Sequence, residues 1–361
     1  MSETDKLKSA RDRIDALDET IQRLISERAA IAVEVAQIKQ GAGENGDYYR
    51  PAREAEVLRR VIERNEGPLS DSTIARLVRE IMSACLALES PLTVAYLGPE
   101  GTYTQAAVYK HFGHAVNAHS LAAIDEIFRE VEAGNAEYGV VPVENSTEGV
   151  VSHTLDLFAT SPLKISGEVT LPVHHHLLSN VKELGGVRRV VAHSQSLAQC
   201  RKWLDSNLPD AVRVSVSSNG EAARIVRNEQ DSAAIAGRAA SELYDLGILA
   251  KNIEDDPNNT TRFLIIGRQS VPPTGHDMTS LLLSTHNRPG ALYSLLAPFA
   301  ESGVNLCRIE SRPSRRGTWD YNFFIDLVGH EQDPNVKAVL EKIQNDAAFY
   351  KVLGSYPQAS I

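Results

Sequence analysis

An arginine interrupts a long apolar heptad pattern at the start of the chain. The first positions of the repeat are Leu7, Ile14, Ile21, Arg28 and Val35, and the fourth positions are Ala10, Leu17, Leu24, Ile31 and Ile38. This seven-residue spacing predicts one long helix with a coiled-coil face. A helix of about 38 residues is ~57 Å long, more than a globule of about 90 residues can cover. The pattern therefore predicts that these helices pair between subunits.

Arg28 is the charged residue within this apolar face. A buried guanidinium is costly unless an anion meets it, so Arg28 is a candidate anion-binding residue; a buried structural ion pair is the alternative. Lys39 follows about three helical turns later, so both side chains lie on one face and reach a small anion between them. Arg11 lies ~25 Å before Arg28 and about 100° round the helix. It either serves the partner subunit's site or is a solvated surface charge.

The rest of the first block is also predicted to be helical. Its glycines fall in two breaks, at 41–51 and 66–72, which leave one helix from about Pro51 to Asn65 and another from about Ser72 to Leu88. The run from Arg11 to Lys39, the Arg-Glu pair at 53–54 and the third helix resemble the all-helical chorismate mutase family. That resemblance implies an intertwined six-helix dimer and the pericyclic conversion of chorismate to prephenate.

The resemblance also implies a role for each matching residue. Arg28 and the partner subunit's Arg11 would bind the two substrate carboxylates, and Lys39 would donate to the ether oxygen. Arg53 would support the site, and Glu54 would accept from the ring hydroxyl. Such a reaction needs no metal or cofactor, only a held conformer and charge stabilisation at the breaking C–O bond.

The third helix departs from the family pattern. Where the family often has Ser and Gln one turn apart, this chain has Cys85 and Glu89, still on one helix face. An ionised carboxylate only accepts hydrogen bonds. Glu89 is therefore expected to donate to the ether oxygen in its protonated form.

From Thr93 to about Ser270, short β-rich runs alternate with helical patterns, which predicts an α/β domain with a largely parallel sheet. Three segments, 94–109, 138–158 and 189–204, each lead from an apolar strand through hydroxyl and amide residues into a helix start. Ligands bind at the carboxyl ends of such strands, where helix N-termini present free N–H groups to anions. The GPEGT loop fits neither a dinucleotide nor a Walker motif, so no nucleotide is expected.

Three motifs in this block, GPEGTYT, VPVENSTEG and TTRF, resemble the prephenate dehydratase family across essentially all of 93–270. The resemblance implies two α/β lobes, like a periplasmic binding protein, with the active site between them. Thr261 would be catalytic, and Arg262 and Phe263 would shape the site. The residues implied to line the cleft are Thr102, Glu144, Asn145, Ser146, His193, Gln195 and Gln199. Some family members have Ser where this chain has Ala192, and either Glu144 or His193 is the proton source.

The run His174-His175-His176 raises the question of a metal site. On a strand, His174 and His176 would share a face while His175 points away. No carboxylate or cysteine sits at ligand spacing, so a structural or cleft-wall role is favoured.

The last 80 or so residues follow a linker at 271–279 and read β-α-β-β-α-β, the ferredoxin-like order. The segments GALY (290–293) and ESRP (310–313) resemble the paired motifs of the ACT domain that binds phenylalanine. The residues implied to bind this effector are Asn287, Gly290, Ala291, Leu292, Glu310, Ser311 and Arg312. The alternative is a packing module that only dimerises. Deletion of residues 279–361 is therefore expected to remove inhibition by phenylalanine without abolishing catalysis.

The charge, the cysteine content and the hydropathy of the chain argue against other classes of protein. A net charge of −10 argues against nucleic acid as a partner, and three scattered cysteines suggest neither disulfides nor zinc. No signal peptide or membrane span is recognisable, so a cytoplasmic protein is expected.

The three resemblances together imply a homo-oligomer, at least a dimer, that makes phenylpyruvate from chorismate by way of prephenate. Its predicted domains are 1–91, 93–270 and 279–361, and phenylalanine would be its feedback inhibitor. The alternatives are a non-enzymatic amino-acid-binding regulator and a dehydratase whose helical block serves only to dimerise.

Overall fold

A computed structural model describes residues 2–41, 49–285, 288–313 and 321–359. The chain forms two compact units. One unit consists of Met1–Arg50, Leu58–Leu92 and Phe112–Asn117, and the other consists of Pro51–Val57, Thr93–His111 and Ala118–Ile361.

The N-terminal block is helical, as predicted. Its helices are α1 (Glu3–Gly41), α2 (Pro51–Glu63) and α3 (Asp71–Glu89). Pro51 begins α2, where a missing N–H costs nothing, and the Ser70 hydroxyl caps α3 by accepting from the Thr73 amide. No helix among the described residues is long and apolar enough to cross a membrane.

The apolar face of α1 is exposed within the single chain. The seam residues with more than half of their surface accessible are Leu7, Ile14, Leu17, Ile21, Leu24, Ile31 and Ile38. Near its C-terminal end α1 packs on α3 through another side of the helix, where Ala36 is buried. A helix this long and this apolar on one side is typical of an interface with another chain.

The second unit follows the predicted alternation of strands and helices. Its elements up to residue 267 are β1 (Thr93–Leu97), α4 (Tyr103–Phe112), β2 (Asn117–Leu121), α5 (Ile124–Ala133), β3 (Tyr138–Asn145), β4 (Gly149–Val150), α6 (Ser152–Phe158), β5 (Lys164–Pro172), β6 (His176–Ser179), a 3-10 turn (Leu184–Gly186), β7 (Arg189–His193), α7 (Ser194–Gln199), α8 (Arg201–Asn207), β8 (Val212–Val216), α9 (Asn219–Val226), β9 (Ser232–Ala236), α10 (Arg238–Tyr244), β10 (Gly247–Ala250) and β11 (Thr260–Gly267).

These strands form two sheets, one for each predicted lobe. The first has the order β2-β1-β3-β11-β5, with β4 added to β3, and the second has the order β10-β6-β9-β7-β8. The expectation of a largely parallel sheet was wrong, because both sheets are mixed. β11 pairs antiparallel with both β3 and β5, and β6 pairs antiparallel with both β9 and β10. Antiparallel strands enter each sheet where the chain crosses between the lobes, after β5 and before β11.

The C-terminal segment has the predicted ferredoxin-like order. Its elements are β12 (Asp277–Ser284), α11 (Ala291–Glu301), β13 (Leu306–Pro313), β14 (Tyr321–Val328), α12 (Pro334–Asp346) and β15 (Phe349–Pro357). The strands lie in the order β13-β14-β12-β15, with the two helices over one face.

The other face of this third sheet packs on the first sheet. One continuous apolar core combines Met278, Leu282, Phe324, Leu353 and Tyr356 of the C-terminal segment with Val143, Phe158 and Leu264 of the first lobe. Removal of residues 279–361 would therefore expose this core to water.

Arg262 is the polar centre of the same packing surface. Its guanidinium donates to Glu168 Oε2 (2.8 Å), Asp326 Oδ2 (2.6 Å) and Tyr356 Oη (3.0 Å). The Ser280 hydroxyl donates to Asp326 Oδ1 (2.6 Å) and lies 2.8 Å from Tyr356 Oη. Burial disfavours the charged guanidinium, but Tyr356, Asp326 and Glu168 outweigh it and raise the pKa of Arg262. The residue therefore joins the first lobe to the C-terminal segment through paired charges.

Arg262→Met should lower the free energy of unfolding by about 3–5 kcal/mol, because it leaves two nearly buried carboxylates without their cation. Arg23→Met is the matched control: Arg23 pairs with Glu27, but both side chains are at least 60% exposed, so the loss should stay below about 1 kcal/mol. Urea unfolding of the two variants and the wild type measures both effects. Equal shifts in the two variants would show that the Arg262 network contributes no more than a surface pair.

Candidate functional site

A cleft of about 590 Å³ opens between the carboxyl ends of strands from the first two sheets. The starts of α4 and α9 lie along it, with Thr102 and Tyr103 at one and Ser218 and Asn219 at the other. The remaining wall comes from the loop after β3 and from the first residues of β11. Free N–H groups at helix N-termini and side-chain hydroxyls therefore face the cleft, a surface suited to anions.

Seven residues predicted for this site line the cleft: Thr102, Asn145, His193, Gln195, Gln199, Thr261 and Phe263. They come from four segments of the chain, which the fold brings to one place.

Glu144, Ser146 and Arg262 do not line the cleft. In the antiparallel pairing of β3 with β11, Asn145 is opposite Thr261 and Glu144 is opposite Arg262. Successive strand residues point to opposite faces, so the first pair faces the cleft and the second faces the C-terminal segment. There Glu144 lies 3.4 Å from Arg308. Ser146 is exposed, and its hydroxyl accepts from the Thr260 amide (2.9 Å). The predicted place of these three side chains in the cleft is thus corrected.

Thr261 is held by the side-chain amide of Asn145. Asn145 Nδ2 donates to Thr261 Oγ1 (2.8 Å) and to Asn259 Oδ1 (2.8 Å). Asn145 Oδ1 accepts from the backbone amides of Thr147 (3.0 Å) and Glu148 (3.1 Å). Both ends of the Asn145 amide are therefore fixed.

The same network continues to Gln199. Gln199 Oε1 accepts from Asn259 Nδ2 (3.1 Å), and Gln199 Nε2 donates to Thr147 Oγ1 (3.1 Å) and Glu148 Oε1 (3.0 Å). His175 Nε2 lies 2.8 Å from Gln199 Oε1. Thr147 Oγ1 donates to Asn145 Oδ1 (2.7 Å) and so closes a ring of hydrogen bonds.

Four residues of this network were not predicted from the sequence: Asn259, Thr147, Glu148 and His175. Asn259 and His175 are each 1% exposed. Asn259 stands two positions before Thr261, so the alternation of β11 gave a usable signal. The sequence favours a structural or cleft-wall role for His175, which lines the cleft, but nothing local in the sequence connects it to Gln199.

Burial sets the protonation of the two groups at the closed end of the network. Burial lowers the pKa of His175, so its imidazole is neutral at pH 7. Burial, with the Glu254 carboxylate, raises the pKa of Tyr103, whose phenol donates to the His174 carbonyl (2.7 Å) and lies 3.2 Å from His175 Nδ1. Among the described residues, no group of three His, Cys, Asp or Glu side chains is arranged to hold a metal ion.

The residues predicted to form the chorismate site fall into two sets, one buried and one exposed or half-buried. Lys39 Nζ lies 3.8 Å from Glu89 Oε2, and both side chains are less than one-fifth exposed. Glu89 Oε2 is buried and accepts no hydrogen bond from a described residue, and Cys85 is buried one turn away. Arg28 lies on the same helix as Lys39, ~16 Å along its axis.

The remaining mutase candidates are exposed or half-buried. Arg11 and Arg28 are exposed in the single chain. Arg53 pairs with Glu56 (2.7 Å), and Glu54 is half-buried.

Ser284, at the end of β12, is opposite Asn322, and Arg312, near the end of β13, is opposite the same residue. Ser284 and Arg312 therefore lie at the same end of the third sheet, ~10 Å apart across β14. The predicted effector residues 290–292 begin α11, the next helix after β12, and residues 310–312 belong to β13. Gly290 has a left-handed backbone (φ 79°) with open space around its Cα, and Asn287 lies outside the described residues.

Arg312 also contacts the first lobe. Its guanidinium donates to Ser152 Oγ (2.5 Å) and pairs with Asp156 (3.4 Å), both on α6. α6 directly follows Val150 and Val151, which line the cleft.

Comparison with known proteins gives a family match for each of the three parts of the chain. Three families match: chorismate mutase type II over residues 10–90, prephenate dehydratase over 94–271, and the ACT domain over 279–345. A prephenate dehydratase from Arthrobacter aurescens, solved in complex with L-Phe, is 35% identical and superposes with a TM-score of 0.69 over 74% of this chain and 90% of its own.

Two relatives named bifunctional chorismate mutase/prephenate dehydratase align with this chain over nearly its whole length. The protein from Stutzerimonas stutzeri is 59% identical and that from Pseudomonas aeruginosa is 58% identical, each over 99% of this chain and 100% of the relative. At this similarity over the full length, the chain belongs to the bifunctional chorismate mutase/prephenate dehydratase family.

Proposed function

We propose that the helical block (1–91) rearranges chorismate to prephenate and that the cleft (93–270) converts prephenate to phenylpyruvate. Phenylalanine binds the C-terminal domain (279–361) and inhibits the second reaction, and the protein works in the cytoplasm. The observation that carries the dehydratase assignment is the Thr261 hydroxyl, fixed by Asn145 at the wall of the 590 Å³ cleft.

The hydrogen bond from Asn145 determines what Thr261 does. Because Asn145 Nδ2 is a donor, the Thr261 oxygen accepts, and the hydroxyl keeps its own proton to donate into the cleft. During dehydration the C–OH bond of prephenate breaks, and a carboxylate leaves as CO₂ while its electron pair completes the aromatic ring. Thr261 donates a hydrogen bond to the departing oxygen.

The departing hydroxide takes up a proton and leaves as water. Of the two candidate proton sources, Glu144 faces the C-terminal segment and His193 lines the cleft. His193 Nδ1 accepts from the Gln195 amide (3.4 Å), which supports Nε2 as the proton-bearing nitrogen. We therefore assign the proton to His193.

The mutase site is proposed to form between two chains. The exposed seam of α1 supports a dimer, since burying seven large apolar side chains that are more than half exposed removes a strongly unfavourable surface. Pairing along this seam buries Arg28, whose charge is then met by a substrate carboxylate. The partner subunit's Arg11 binds the second carboxylate, and Lys39 and Glu89 meet the ether oxygen.

The effector site is proposed at the end of the third sheet that carries Ser284 and Arg312, between the start of α11 (290–292) and residues 310–312 of β13. The first turn of α11 offers free N–H groups to the carboxylate of an amino acid, and Glu310 offers a charge to its ammonium group. The L-Phe complex of the Arthrobacter aurescens relative supports phenylalanine as the ligand.

The two activities are tested with purified protein supplied with chorismate. Wild type should form prephenate and then phenylpyruvate, and Thr261→Ala should stop at prephenate, with dehydratase kcat reduced at least ~100-fold. Thr260→Ala is the matched control, because the Thr260 hydroxyl donates to the Asn258 carbonyl away from the cleft. Wild-type turnover in Thr261→Ala would contradict the assignment. Absence of both reactions in wild type would instead favour the non-enzymatic regulator.

Arg28→Ala should abolish mutase activity while dehydration of added prephenate continues, since the two reactions use separate sites. Mixed dimers of Arg11→Ala and Arg28→Ala subunits should recover mutase activity, because one of their two sites then has both arginines. Activity is measured on heterodimers purified with two different tags. Lack of recovery in such heterodimers would show that the site lies within one chain.

Gly290→Ala should weaken phenylalanine binding at least ~10-fold, because a side chain is strained at this φ and crowds the effector. Gly303→Ala is the matched control, since Gly303 follows the other end of α11 and also combines positive φ with open space. Titration calorimetry with phenylalanine on the full chain measures both. Equal affinities in the two variants would place the effector site elsewhere.

A further inference from the structure

The hydrogen positions in the cleft network follow from donors and acceptors whose identity is unambiguous. The backbone amides of Thr147 and Glu148 can only donate, so the atom of Asn145 that they meet is its oxygen. Asn145 then donates to Asn259, which must accept through its own oxygen and donate from its nitrogen. Asn259 therefore donates to Gln199, and the atom it meets is the Gln199 carbonyl.

An independent anchor at the other end gives the same orientation. The Glu148 carboxylate accepts from Gln199 at 3.0 Å, so the group that faces it is the Gln199 NH₂. Both routes leave the Gln199 carbonyl facing His175 Nε2 at 2.8 Å. An oxygen at that distance requires a proton on Nε2. His175 is thus the Nε2–H tautomer, and its unprotonated Nδ1 lies 3.2 Å from the Tyr103 oxygen, whose own proton is donated to the His174 carbonyl.

We propose that His175 is a positioning residue for dehydration: its Nε2–H holds the Gln199 carbonyl. Together with the Glu148 carboxylate and the backbone amides of Thr147 and Glu148, it stabilises the ring of Asn145, Asn259, Gln199 and Thr147 in the orientation that makes Thr261 a donor into the cleft. Without this donor, the Gln199 carbonyl loses one of its two partners, and the amide is held against turning over only by Asn259, Thr147 and Glu148. Turning it would place its NH₂ against the NH₂ of Asn259, and the contact that fixes Asn259 beside Asn145 would be lost.

This inference rests on the proposed dehydratase activity, and the chain offers variants that separate its parts. In His175→Gln the side-chain NH₂ occupies the place of Nε2, so the donor to Gln199 is kept. In His175→Asn the shorter amide reaches only the place of Nδ1, so that donor is lost. His176→Asn is the matched control, because His176 is also buried (5% exposed), and its Nδ1 accepts from the Asn252 amide outside the ring.

Dehydratase kinetics with added prephenate should separate the variants. His175→Asn should lower kcat at least ~10-fold with KM changed less than ~3-fold, while His175→Gln and His176→Asn should stay within ~3-fold of wild type. Equal kcat values for His175→Gln and His175→Asn overturn the proposal. If His175→Asn fails to fold, near-wild-type kcat in His175→Gln supports the proposal and its loss overturns it.

A second measurement does not depend on activity. In the full-length wild-type protein, the ¹⁵N chemical shifts of the His175 ring should show a protonated Nε2 and an unprotonated Nδ1 at pH 7. The reverse tautomer would overturn the inference even in a fully active enzyme. The expected tautomer in a protein that does not turn over prephenate would leave the network intact and overturn the proposed function instead.

Discussion

The alternation of side chains along two paired strands determines how the second unit works. β3 and β11 lie antiparallel, and this pairing places Asn145 with Thr261 on one face and Glu144 with Arg262 on the other. The first pair forms the wall of the cleft, and the second pair joins the C-terminal domain through Asp326 and Arg308. Reactive and regulatory surfaces are thus one residue apart along the same two strands.

At the proposed effector site, this arrangement would give phenylalanine a short physical route to the cleft. β13 carries both Arg308, which pairs with Glu144, and Arg312, which is bonded to the first turn of α6 just after the cleft wall. A shift of β13 on effector binding moves groups bonded to β3 and α6, and needs no long chain of contacts to reach Thr261. The rest of the packing surface between the two domains is the apolar core that they share.

The sequence predicts the elements better than it predicts the directions of their side chains. Heptad spacing, strand-like runs and the β-α-β-β-α-β order predict the helical block, the strands of both lobes and the third sheet, because these features are local. The side of β11 on which Arg262 lies was not predicted. Both faces of this strand are covered, so its burial pattern does not alternate and does not indicate which face meets the cleft. The bond between His175 and Gln199 was also missed, because it depends on how distant segments pack.

The two proposed sites handle carboxylates in opposite ways, and the chemistry of each reaction accounts for the difference. The mutase assignment relies on Arg11, Arg28 and Lys39, whereas no arginine or lysine is among the described residues that line the dehydratase cleft. The rearrangement leaves both carboxylates unchanged, so cations bind ground state and transition state alike and do not oppose the reaction. Dehydration converts one carboxylate into neutral CO₂, and a cation beside it would stabilise the ground state more than the transition state. Neutral donors such as helix N–H groups and hydroxyls orient that carboxylate at a smaller cost, so the cleft combines weak anion recognition with a firmly oriented donor at Thr261.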